Sequence, residues 1–299
     1  MILSNINKIT NKTKRGWKKM KHTKKIVLIA LSLILSIGVF AGCSKSSSES
    51  TIASIEDRGT IRIGVFSDKP PFGYVDANGD NQGFDVYIAK RFAKNLLGDE
   101  SKVEFVLVEA ASRVEFLESN KVDIILANFT VTEERKQRVD FANPYMKVAL
   151  GIVSPTGEVI TSVDDLQGKT LIVNKGTTAE TYFAKNHPEI ELLKFDQNTE
   201  AFQALKDGRG AALAHDNTLL FAWARENTGY EVGVSTLGDL DAIAPAVKKG
   251  NDELRNWIND QLTELAKEQF IHEAYEQTLR PVYGDTVDPE DVVVEGGQF

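Results

Sequence analysis

Residues 122–145 read VDIILANFTVTEERKQRVDFANPY. An apolar run gives way to Asn128 and Thr130, with Arg135 close behind. A guanidinium grips a carboxylate through two parallel N–H···O bonds, and a neighbouring hydroxyl adds a third contact. A second candidate is Lys175-Gly176-Thr177-Thr178, where a strand-like run turns into a helical one. Its glycine admits close backbone approach, and a helix start favours an anion. A third is His215-Asp216-Asn217, whose carboxylate suits an ammonium group. The fourth, Asp68-Lys69-Pro70-Pro71-Phe72-Gly73-Tyr74, is a proline-stiffened loop presenting aromatics. One arginine, one acid and two hydroxyl-bearing turns match the two poles of a zwitterion.

Each feature has a plainer alternative. Glu133-Glu134-Arg135 also suits a solvated helix start, and Thr177 or Asp216 a helix cap. Phe72 and Tyr74 also suit packing, and Arg113 an ordinary surface position.

The elements that must carry these residues follow from periodicity. Strand-like runs at 60–65, 102–108 and 122–129 alternate with helical ones at 85–97 and 112–119. That βαβαβ order implies a parallel, doubly wound sheet. The pattern restarts with strands at 148–154, 170–174, 192–195 and 211–215. Helices at 177–185, 200–206 and 217–223 lie between or after them. A strand at 241–247 and helices from 252 to 279 complete the pattern, so the chain reads as two α/β lobes. In open parallel sheets ligands bind beyond the carboxyl ends of the strands, where all four candidates fall. The tail, 281–299, is acidic and rich in turn residues, and is expected to wrap the surface.

Composition narrows the function classes. The 299 residues are 42% hydrophobic and 26% charged, as in soluble globular proteins. Residues 1–42 carry nine Lys or Arg and no acid, then an apolar run over 26–40 and Ala41-Gly42-Cys43. This order reads as a secretion signal, too short to span as an ordinary transmembrane helix. Met20 opens a signal of more usual length and is the expected initiator. Without those nine cations the net charge moves from −8 to −17, which argues against nucleic acid. The single cysteine cannot form an internal disulfide. Four scattered histidines (22, 187, 215, 272) lack metal-ligand spacing, so neither metal nor cofactor is expected.

At this point the chain resembles a known family. IRIGV, PPFGY, GFDVYIAKRFAKNL, DIILANFTVTEERKQRVDFANPY and LQGKTLIVNKGTTAETY are similar to the polar amino acid-binding proteins of ABC importers, the type 3 solute-binding family. The resemblance covers roughly residues 55–280. It extends to the CjaA-type cysteine-binding lipoproteins through DKPPFGYVD, NKGTTA, HDNTLLFAW and IAPAVKKG. It implies a periplasmic-binding-protein-like (type II) Venus flytrap, with two doubly wound lobes joined by two crossover strands. Lobe 1 would be 55–147 plus 242–280, and lobe 2 would be 148–241. The position of Cys43 resembles a lipobox, which implies lipidation at Cys43, a flexible tether over 43–54, and an extracytoplasmic protein anchored to the bacterial membrane.

The same resemblance implies that Arg135, Thr130 and the backbone of Thr178 hold a ligand carboxylate beside Thr177. Asp216 would hold the ammonium with Thr130 and the Asn128 carbonyl. Arg113 matches the position at which acidic amino acid binders hold a side-chain carboxylate. The loop brings Lys69 and Phe72 to the ligand, and Lys69 replaces an aromatic that basic amino acid binders use for stacking. The expected activity is delivery of an amino acid, first cysteine, then cystine or aspartate and glutamate, to an ABC permease by a monomer. The rival from another class is a cyclohexadienyl dehydratase-like enzyme, which needs a pocket acid such as Glu109 or Glu180.

Overall fold

The structure, a computed structural model, describes residues 50–298. The signal at 1–42, Met20, Cys43 and most of the tether lie outside the described residues. Thirteen strands follow in chain order among the described residues: β1 Ile61–Val65, β2 Asp68–Lys69, β3 Gly73–Val75, β4 Asn81–Gln82, β5 Val103–Leu107, β6 Ile124–Ile125 and β7 Val139–Phe141. After them come β8 Met146–Pro155, β9 Thr170–Asn174, β10 Glu191–Phe195, β11 Ala212–Asp216, β12 Tyr230–Ile243 and β13 Ala246–Lys248. The helices that matter below are α1 Ile52–Arg58, α2 Phe84–Leu97, α3 Arg113–Glu118, α4 Glu133–Lys136 and α5 Thr178–Asn186. They continue with α6 Asn198–Lys206, α7 Asn217–Glu226, α8 Asp252–Ala266 and α9 Phe270–Thr278.

Two five-stranded sheets organise these elements, in the orders β5-β1-β6-β13-β7 and β10-β9-β11-β8-β12. Their leading strands are parallel, as the alternation of strands and helices predicts. The sheets are not wholly parallel, however. β13 runs antiparallel to β6 and β7, and β8 runs antiparallel to β11 and β12. Both exceptions belong to segments that carry the chain from one sheet to the other, and a chain returning from another sheet is free to enter in either direction.

Strand residues alternate between apolar clusters on opposite faces. Leu171 and Val173 pack with Ala179 and Phe183 of α5, whereas Ile172 joins the cluster containing Ala201 and Leu205 of α6. Ile124 and Ile125 divide in the same way. Burial of both faces is what a doubly wound sheet requires, and it explains why these strands read as continuous apolar runs. The helices show the complementary stripe: Leu254, Ile258, Leu262 and Leu265 of α8 are buried at three- and four-residue spacing.

The passages between the sheets are residues 142–145 and 244–245. They are bound to each other by Ala142 N–H donating to Pro245 O at 2.9 Å and Tyr145 N–H to Ile243 O at 3.0 Å. The tail does more than lie on the surface. Tyr283, Val292, Val293 and Val294 are buried, and Val294 N–H donates to Tyr145 O at 3.0 Å.

Three sequence expectations shift. The strand predicted over 122–129 shrinks to β6, because Asn128 takes a left-handed φ of +46° and turns the chain out of the sheet. The strand predicted over 241–247 divides at Ala244-Pro245 and gains a long forerunner, β12. β12 escaped notice because its burial is irregular, with bulges in its pairing to β8. The helical run after 252 breaks before α9, where Gln269 also adopts positive φ. Among the described residues no helix is long and apolar enough to cross a membrane.

Candidate functional site

The site begins where β6 ends. Asn128 holds its left-handed turn because Asp85, the second residue of α2, accepts its backbone N–H at 2.8 Å. The same carboxylate accepts the Tyr145 hydroxyl at 2.6 Å. Burial pushes Asp85 up to about 7, against the pull of the Tyr145 hydroxyl and Lys69. This bracket aims the Asn128 side chain at Lys69, whose Nζ donates to Asn128 Oδ1 at 2.6 Å.

Lys69 also donates to Asp216 Oδ2 at 2.7 Å. Both side chains are almost wholly removed from water, exposing 2% and 6% of their surface. Burial opposes the charge on each. The Lys69 ammonium and His215 nevertheless hold Asp216 below the usual carboxylate range, while burial lowers Lys69 from its ordinary value. Asp216 is the last residue of β11 and precedes α7, yet its side chain makes no capping bond to that helix. The cap alternative therefore fails for Asp216. The carboxylate is turned toward the lysine.

Two guanidinium groups face this pair. Arg113 donates to the carbonyls of Ala110 (3.0 Å), Ala127 (3.0 Å), Asn128 (3.3 Å) and Gly176 (3.2 Å). Arg135 donates to Thr130 O at 2.6 Å and to the same Gly176 O at 2.8 Å. Both lie against the Phe129 ring, 4.4 and 4.6 Å from its centroid. Burial lowers both; Arg135 falls to about 10 although Asp216 counters the effect, and Arg113 is lowered further by Arg135 beside it.

Gly176 sits at φ +73°, between β9 and α5. A Cβ here would lie 2.5 Å from Ala111 Cα and 2.7 Å from Ala111 N. Only glycine lets this carbonyl reach both arginines. At the start of α5, Thr177 accepts Glu180 N–H at 3.2 Å and donates to Asn174 O at 2.7 Å. Its hydroxyl is a helix cap, as the plainer alternative holds, and Thr178 follows as the first helical residue.

Lys69, Arg113, Asn128, Thr130, Arg135, Thr177, Thr178 and Asp216 thus line one small cavity, together with Phe66, Ala110 and His215. It leaves about 10 Å³, the room of about one water. Arg135, Ala110 and Thr178 also line a neighbouring cavity of about 430 Å³ that contains Tyr182 and Asp241. Phe72 is not brought to the small cavity. It is fully buried in the core, its ring centroid 5.8 Å from Lys69 Nζ. Nor are Glu109 and Glu180 among its lining residues; Glu180 accepts Gly176 N–H at 2.7 Å and pairs with Lys194.

Sequence reasoning missed Phe66, Asp85 and Tyr145. Asp85 left one signal: an acid beside Phe84, Val86 and Ile88 on what reads as the apolar face of a helix.

A protein-family model, bacterial extracellular solute-binding proteins, family 3, matches residues 61–280. A crystal structure of the solute receptors for L-cysteine of Neisseria gonorrhoeae is 62% identical, with a TM-score of 0.81 over 82% of this chain and 100% of that one. The cysteine-binding protein from Campylobacter jejuni is 59% identical, with a TM-score of 0.81 over 82% and 98%. The ABC transporter glutamine-binding protein GlnH of Bacillus subtilis is 36% identical over 247 residues, 79% of this chain and 90% of that protein.

Proposed function

The chain belongs to the bacterial extracellular solute-binding proteins of family 3, and on that premise we propose that it captures cysteine outside the cytoplasmic membrane and delivers it to the permease of an ABC importer. The observation that carries this reading is the convergence of opposite charges from different sheets on one cavity. Arg135 follows the first sheet's β6, and Asp216 ends the second sheet's β11. In this reading Arg135, Thr130 and the Thr178 N–H take the ligand carboxylate, while Asp216, Thr130 and the Asn128 carbonyl take its ammonium. The two solved structures at 62% and 59% identity, both described as binding cysteine, support that amino acid.

The arginine geometry supports it too. All three nitrogens of the Arg113 guanidinium donate to backbone carbonyls, four in all. An arginine so occupied suits a small side chain better than the carboxylate of aspartate or glutamate.

Residues 55–147 with 242–280, and 148–241, act as lobes that hinge at the two passages between the sheets. A ligand touching both lobes shifts the population toward the closed form. A diacyl anchor on Cys43 keeps the protein at the membrane surface. The role is binding without turnover by a monomer. Titration calorimetry of the folded chain against the twenty amino acids and cystine is expected to give its largest heat with cysteine. Heat with none of them overturns the reading, and conversion of prephenate or arogenate to an aromatic product would replace it with the enzyme alternative.

A further inference from the structure

The small cavity carries more positive than negative charge. Lys69, Arg113 and Arg135 supply three cations. Asp216 is the one carboxylate lining it, and His215 is held neutral by burial and the nearby lysine. The other acidic groups nearby are Asp85 on α2, already engaged by the Tyr145 hydroxyl and Asn128 N–H, Glu180 on α5, engaged by Gly176 N–H and Lys194, and Glu134 and Asp241, which line the neighbouring cavity and act on Arg135. Lys69 Nζ occupies the oxygens of Asn128 and Asp216, at 2.6 and 2.7 Å. A free amino acid needs far more room than about 10 Å³, so Lys69 must yield part of Asp216 when an ammonium enters. The ligand's carboxylate offsets Arg135 and its ammonium offsets Asp216. Lys69 is then a buried cation short of an anion, a costly state unless the ligand supplies one.

Resting on the cysteine reading above, we infer that the site takes cysteine as its thiolate, with Lys69 as the specificity-determining cation that the third ligand charge neutralises. The thiol proton goes to solvent, no covalent bond forms, and the bound ligand carries a net charge of −1. Amino acids with a neutral side chain of the same size, such as serine or alanine, leave Lys69 uncompensated and are rejected for that reason.

The test is calorimetric titration of the full chain with cysteine under reducing conditions, in buffers of different ionisation enthalpy. A free thiol with a pKa of about 8.5 is nearly all protonated at neutral pH, so about one proton should be released per cysteine bound. Linkage then makes affinity rise about tenfold per pH unit between about pH 6 and 8, and the ultraviolet absorption of a thiolate should appear on binding. Lys69→Met should bind cysteine about 30-fold more weakly and lose both the proton release and the pH slope, whereas Lys69→Arg retains them. Cysteine binding without proton release overturns the inference and leaves the cysteine reading intact. Proton release without thiolate absorption also overturns it, because the proton then comes from Lys69. Should Lys69→Met fail to fold, the native chain's proton count and spectrum decide alone; no binding of cysteine at all fells the parent reading as well.

Discussion

Asp123 and Asp216 are both aspartates buried beside cations, yet their surroundings assign them opposite work. Asp123 precedes β6, at the leading end of the first sheet's parallel strands. It accepts Arg58 at 2.5 Å, Arg62 Nη2 at 2.6 Å and Arg62 N–H at 2.8 Å. Those arginines expose 23% and 15% of their side chains, so their charges remain partly hydrated. Asp216 stands at the trailing end of a second-sheet strand, beside a cavity, against a lysine that is itself cut off from water. The first carboxylate is satisfied by two arginines and a backbone N–H, with both arginines still partly in water. The second faces a cavity, and in the proposed reading a ligand's ammonium displaces its lysine partner. Burial and charge are shared; position along the strands and the hydration of the partner separate structure from binding.

The same substitution at both positions tests the contrast. Asp216→Asn is expected to weaken cysteine binding at least 100-fold, about 3 kcal/mol or more, and also to lower stability, because the buried Lys69 loses its paired carboxylate. Asp123→Asn should lower stability by about 3 kcal/mol and the melting temperature by about 10 °C, with affinity unchanged. Titration calorimetry and thermal melts of both variants read the two effects. Equal loss of affinity in both, with the proteins folded, breaks the comparison.

Gly176→Ala sharpens it from the other side of the cavity. An added methyl group meets Ala111 and strains a left-handed residue, so the closed arrangement should lose about 1–2 kcal/mol and affinity about tenfold. An unchanged dissociation constant would mean that the Gly176 carbonyl is not needed by the two arginines.

The smallest effect belongs to His272, which lies in neither region. Burial works against its charge, but bonds to Glu295 at 2.8 Å and Glu290 at 3.0 Å raise its pKa and tie α9 to the tail. Its contribution to stability is complete below the unfolded value of about 6.5 and is lost as pH rises through the higher folded value. His272→Gln should therefore flatten the fall in melting temperature above about pH 6.5 and leave cysteine affinity alone. A fall as steep as in the native chain assigns that pH dependence to other groups.

Much of this was legible before any coordinates. The alternation of strands and helices, the candidate turns at 128–130 and 176–178, and the acid at 216 follow from local patterns that each element imposes on its own residues. Arg135 is predicted within a few residues of its observed partner Thr130. Less legible were Asp85 and Tyr145, which lie 60 residues apart along the chain and hold one bond between them. β12 was hidden because its irregular burial erases the period-two signal.

What the sequence alone determined is the class of chemistry: cations and an acid at strand ends, placed by short-range periodicity and turn residues. Only the tertiary structure decided how those charges are shared. It spent Arg113 on four carbonyls, capped α5 with Thr177, withdrew Phe72 into the core and set Lys69 against Asp216, 147 residues away. The reason is physical: hydrogen bonds and desolvation depend on which groups meet in space, and those meetings join residues that no local pattern connects.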